Sequence, residues 1–285
     1  MLNLTSTCFL YHVTFDQVTK FTLFGFGLAN TSYAVVLNII AFLGTWKIHK
    51  RHMTRTAKLL LSLFAINLLV AFAVILLSVY QFMDDFLQSW YFSAHLSTLV
   101  FLILWSSTNI LLVTVDRYLL VIRGKCYLFW KRNFLVVVVL TTCIILGFSI
   151  SFYFGLKTCT YQLTVVNLAV FSAILLVNLI VCFVTNIAMM KYVRRNMSCI
   201  GSSRPKMKNK VAKTVCAMAI SAGLCQVLLV LLLTFFTVSF ATESSATKYG
   251  NVVVTCFIII VLFKCGTFPL IYIIRNTRIR RSFSV

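Results

Sequence analysis

Seven stretches of this chain are apolar over roughly twenty residues or more, the length needed to cross about 30 Å of hydrocarbon. They lie near 21–46, 58–81, 93–122, 133–156, 162–190, 211–239 and 250–274. In a chain of 285 residues this leaves only short loops and ends, none long enough to fold alone. Composition agrees, with 61% of residues hydrophobic and 11% charged, whereas a soluble domain keeps about a quarter charged. The sequence therefore predicts an all-α membrane protein, one domain over residues 1–285 built as a seven-transmembrane helix bundle. About twenty residues precede the first run with neither a basic n-region nor a small-residue cleavage site, so that run is expected to be retained.

The net charge of +21 is explained by where the charges fall. Basic residues cluster after the first run (Lys47, Lys50, Arg51, Arg55, Lys58), after the third (from Arg117 to Arg132), between the fifth and sixth (from Lys191 to Lys213) and after the seventh (from Arg275 to Arg281). Of the 26 basic residues only Lys20, Lys157, Lys248 and Lys264 lie elsewhere. The opposite loops carry Asp16, Asp84, Asp85 and Glu243. The positive-inside rule then places the N-terminus outside and the C-terminus in the cytoplasm, as an odd number of spans requires. The charge reads as topology plus attraction to anionic inner-leaflet lipid, not as nucleic-acid binding.

On the predicted outside, Asn3 begins a glycosylation sequon, whereas the sequons at Asn30 and Asn196 fall in a span and in the cytosol. Cys8 and Cys159 are the two of ten cysteines on the oxidising side, which allows one disulfide between them. No metal cluster, phosphate loop or nucleophile constellation is visible. Five acidic residues and four histidines are too few for an acid/base enzyme, so neither an enzyme nor a cofactor is expected.

The third run ends in "LLVTVDRYLLVI", residues 111–122, and three more motifs accompany it: "LSLFAINLLVAF" in the second run, "TFPLIYIIRN" in the seventh and "VVLNII" in the first. Together these resemble the rhodopsin-like (class A) G-protein-coupled receptors over almost the whole chain. Asp116, Arg117 and Tyr118 stand where that family has Asp-Arg-Tyr. Phe268, Pro269 and Tyr272 stand in its Asn-Pro-x-x-Tyr, Asn67 in place of its second-helix aspartate, and Asn38 and Ser106 at its first- and third-helix polar positions. The resemblance implies a plasma-membrane receptor that passes an extracellular or membrane-dissolved signal to a heterotrimeric G protein. It further implies that Asp116 holds Arg117 at rest, that Arg117 meets the G protein and packs against Tyr272 on activation, and that segment 276–283 forms an interfacial helix. The family's acidic partner on the sixth helix is replaced near Lys208, so no second lock is expected, which implies raised basal signalling.

Lys264 sits inside an apolar run, where an ammonium is costly and therefore paired or functional. The family's retinal-binding lysine lies seven residues before the proline, where this chain has Leu262; two residues along a helix is about 200° of rotation. Lys264, five before Pro269, instead matches a position lining a small pocket that in the family holds a sodium ion. The resemblance thus implies an intramembrane polar cluster of Asn38, Asn67, Ser106 and Lys264, with the ammonium in the region of the ion. Alternatively, Lys264 snorkels or faces a water-filled crevice.

Several family features are missing. Phe92 replaces the third-helix cysteine, Gln226 the sixth-helix tryptophan and Leu228 its proline, while Gly124 and Lys125 stand where the next loop has proline and an apolar anchor. His95, Leu99, Ile103, Gln226, Ile258 and Leu262 are the ligand-pocket candidates and suit a small apolar ligand, although ordinary helix packing accounts for the same residues. Two other functions remain open: a transporter or channel using Lys264, and a non-signalling receptor-fold partner of other receptors.

Overall fold

A computed structural model describes residues 17–50, 54–80, 90–122, 124–158, 161–196, 223–235 and 246–276, together with a few isolated positions: 217, 220, 221, 237, 238 and 279. All regular structure among them is helical. Six helices are long and apolar enough to cross a membrane: α1 (Gln17–His49), α2 (Arg55–Tyr80), α3 (Trp90–Ile122), α4 (Gly124–Lys157), α5 (Tyr161–Asn196) and α7 (Ala246–Arg275). The sixth apolar run is described as a shorter helix, α6 (Gly223–Phe235). The chain is thus a multi-pass membrane protein. Hydrocarbon offers no partner for backbone N–H and C=O groups, so each run must satisfy them within itself, and the helix does so.

The same constraint governs the hydroxyls. Thr114, Thr141, Thr142, Ser149 and Thr234 each donate to the carbonyl four residues back, at 2.6–2.9 Å, which keeps polar atoms off the lipid without breaking the helix. Thr54 caps α2, its Oγ1 accepting from the Ala57 amide at 3.3 Å.

Helix α3 is central, touching α2, α4 and α5, while α1 packs on α2 and α7. Its apolar window is 67% buried against 11% for α4, which places α4 at the periphery. Two apolar cores lie inside. The first gathers Leu99, Ile103, Phe171, Leu175, Leu229, Ile258 and Leu262; the second gathers Phe64, Val113, Met189, Phe268, Tyr272 and Ile279. Polar bridges join the helices between them: Asn167 of α5 donates to the Ser151 carbonyl of α4 at 3.2 Å, and Ser97 of α3 donates to the Ser149 carbonyl.

The helices run past the apolar runs because a helix does not end where hydrocarbon ends. The clearest case is α4, which begins at Gly124 rather than near 133. Residues 124–132 hold no proline, and Trp130 stacks edge-on to Phe134 at 5.6 Å, with Arg55 of α2 over the same Phe134 ring at 4.8 Å. Gly124 and Lys125, expected in a loop, are therefore helical.

The tightest joint is between α1 and α7. A Cβ on Gly266 would lie 2.8 Å from the Tyr33 ring and 3.9 Å from the Ala34 backbone, so this glycine permits the close approach that small residues give membrane helices. Gly266→Leu is expected to lower stability by about 2 kcal/mol by forcing α1 and α7 apart. A thermal unfolding midpoint in detergent unchanged from the parent would contradict this.

Candidate functional site

A proline inside a helix strips the carbonyl four residues earlier of its N–H donor. In α7 that proline is Pro269 and that carbonyl belongs to Cys265. Asn38 of α1, wholly buried, supplies the missing donor: its Nδ2 lies 2.9 Å from the Cys265 oxygen and 2.7 Å from its own Ala34 oxygen. Beside it, Ser106 of α3 donates to Asn67 Oδ1 of α2 at 2.8 Å, and the Cys265 thiol approaches the same oxygen at 3.9 Å. Asn38, Asn67 and Ser106 thus link α1, α2, α3 and α7 in one buried polar seam.

Lys264 is 5% exposed. Among the described residues no hydrogen bond runs from it to Asn38, Asn67 or Ser106, whose bonds go to one another and to the backbone. The groups in its electrostatic range are thiols: Cys265 on its own helix, Cys225 on α6 and Cys182 on α5. The Cys182 thiol itself bonds to the Thr114 hydroxyl of α3. Cys182 also lies on a polar stripe of α5, since Asn178, Cys182 and Asn186 recur at four-residue spacing and all are buried. Asn186 donates to the Cys182 carbonyl at 2.6 Å, while Asn178 Nδ2 and Asn186 Oδ1 are buried without a hydrogen-bond partner.

At the far end of the seam Asp116 is wholly buried and accepts from the Thr56 hydroxyl of α2 at 2.7 Å; its other oxygen, Oδ1, has no hydrogen-bond partner. Arg117, half-buried, lies in electrostatic range of the Tyr272 hydroxyl, which also meets Thr45 Oγ1 of α1 at 3.3 Å. Phe64 of α2 packs against both Tyr272 and Phe268, with ring centroids 5.4 and 6.3 Å away. Tyr118 is half-buried and Pro269 buried. The Asp116 carboxylate therefore bonds to Thr56 of α2, while Arg117, adjacent in sequence, lies within electrostatic range of Tyr272 of α7. A carboxylate buried this deeply depends on each hydrogen bond it keeps.

The ligand-pocket candidates fall in the first core. Leu99, Ile103, Ile258 and Leu262 are all buried there. One nitrogen of each of the other two is engaged with a backbone carbonyl: His95 Nε2 lies 2.8 Å from the Ala73 oxygen, and Gln226 Nε2 donates to the Leu175 oxygen of α5 at 2.6 Å. Asn3, Cys8, Cys159 and Lys208 lie outside the described residues, the side chain of Phe92 is not described, and of 276–283 only Asn276 and Ile279 are described. There the Asn276 side chain accepts from the Ile279 amide at 3.4 Å, and Ile279 is wholly buried in the second core.

Sequence reasoning missed Thr45, Thr56 and the Asn178–Cys182–Asn186 stripe. The stripe had a signal, three polar or polarisable residues at helical spacing in an apolar run; the threonines had none. The chain matches neither any known protein-family model nor any curated protein.

Removing the Thr56 hydroxyl deprives the buried carboxylate of that donor. Thr56→Val should cost about 2 kcal/mol of stability and Thr56→Ser little. Equal unfolding midpoints for the two variants would contradict the assigned bond.

Proposed function

We propose that this chain is a seven-span receptor of the rhodopsin-like class, in the plasma membrane with its N-terminus outside, that couples to a heterotrimeric G protein through Asp116, Arg117 and Tyr118. Its ligand is small and apolar and reaches the bundle from outside or from the bilayer, and Asn3 is its glycosylated residue. The observation that carries this reading is that Arg117 of one motif, on α3, lies within electrostatic range of the Tyr272 hydroxyl of another, on α7. Phe64 and Thr45 hold that tyrosine from α2 and α1, so a shift of α7 would be felt at Arg117. Supporting it, Asn38, Asn67 and Ser106, from three separate helices, are joined in one buried seam through Cys265.

The role given to Arg117 is testable without a ligand. Basal signalling across the main G-protein classes, compared in cells at matched surface expression, is expected to fall at least tenfold in Arg117→Ala. Activity above untransfected cells that is equal in parent and variant would contradict the reading.

A further inference from the structure

Helix α6 is joined to the bundle unevenly. Among the described residues its hydrogen bonds to other helices both go to α5: the Gln226 amide donates to the Leu175 carbonyl at 2.6 Å, and the Ser172 and Thr234 hydroxyls meet at 3.2 Å. Thr234 donates to the Val230 carbonyl of its own helix at 2.8 Å, so it accepts from Ser172. Beside these bonds the two helices lie close, since a Cβ on Gly223 would be 3.3 Å from a Leu179 methyl. With α3 and α7 the same helix shares an apolar core, where Leu229, Val230 and Leu233 join Leu99, Ile103 and Leu262.

Helix α5 is in turn fastened to α4. Ser151 and Asn167 exchange two bonds at 3.2 Å, and the Thr164 hydroxyl donates to the Gly155 carbonyl at 3.3 Å. The buried seam, by contrast, runs through α1, α2, α3 and α7. A hydrogen bond in hydrocarbon is directional and has no water to replace it, whereas apolar packing is non-directional and permits the small sliding shifts of packed helices. Residues 223–235 contain no proline, so α6 has no proline kink to bend at and moves as one piece. We propose that α6 is a movable arm carried by α5, pinned there by Gln226 and Thr234, whose apolar face shifts against α3 and α7. This goes beyond the receptor reading and does not rest on it, since it is read without signalling.

The chain's own thiols report the motion. Cys225 stands next to the Gln226 pin and Cys265 in the seam, both buried, while Cys143 of α4 is exposed and serves as reference. The test is the rate at which N-ethylmaleimide modifies each thiol of the full chain in lipid discs, resolved by peptide mass spectrometry well below the unfolding midpoint. A buried thiol reacts only when its surroundings open, so its rate follows the open population. Gln226→Met and Thr234→Val should each raise the Cys225 rate about fivefold, the effect of one ordinary hydrogen bond on an opening equilibrium, and leave Cys265 unchanged. Asn38→Leu, which breaks the seam, should do the reverse. A Cys225 rate equal in the parent and both pin variants would overturn the proposal. So would a Cys265 rate that rises with that of Cys225, because the whole bundle would then be loosening rather than one arm. A rise in only one pin variant would overturn the other residue's role as a pin.

Discussion

Pro269 deprives the Cys265 carbonyl of its helical donor, and in hydrocarbon no water replaces it. The rest of the seam follows from how that gap is closed. Asn38 can reach across only because α1 and α7 lie very close, and they do so because Gly266 offers no Cβ to Tyr33. Once α1 is joined to α7 at that level, the thiol of the same Cys265 is brought to Asn67, whose oxygen is already engaged by Ser106. One missing backbone bond thus sets the register of four helices.

That register decides what stands at the end of the seam. One turn past Pro269, Tyr272 lies against Phe64 and Thr45 within electrostatic range of Arg117, while Asp116 accepts from Thr56 on α2. A helix broken by proline and repaired by a side chain can exchange that bond more readily than one with an intact ladder. The same α7 carries Lys264, whose electrostatic neighbours are Cys265 of the joint itself, Cys225 of α6 and Cys182 of α5.

Much of the fold was legible because hydrocarbon imposes a single rule on length and polarity. The six long helices overlap the expected runs, and α4 overshoots its run because Gly124 to Arg132 continue as helix although Lys125, Lys131 and Arg132 break the apolar run. At the sixth run the described helix is shorter than the apolar stretch. In the site, Lys264 was visible as a charge out of place in an apolar run, whereas Asn38, Asn67 and Ser106 were legible only through the motifs of the resemblance. Their pairing was not: the resemblance put Lys264 with Asn67, Ser106 and Asn38, yet Asn67 accepts from Ser106 and the electrostatic neighbours of Lys264 are thiols of α5, α6 and α7. Cysteines read as small hydrophobes, so Cys182 and Cys225 gave no hint of facing a cation. Thr56 was illegible because threonine is ordinary at a helix start, and only the contact of α2 with α3 gives it a carboxylate.

The most direct test of the proline joint is a double-mutant cycle between Asn38 and Pro269 read by thermal unfolding in lipid discs. Asn38→Leu should cost about 1–2 kcal/mol in the parent, where it orphans the Cys265 carbonyl. In a Pro269→Ala background, where the backbone regains an N–H at that position and the helical bond is restored, most of that cost should disappear. An equal cost in both backgrounds would mean that Asn38 stabilises the bundle by some route other than the proline gap, and would contradict the account.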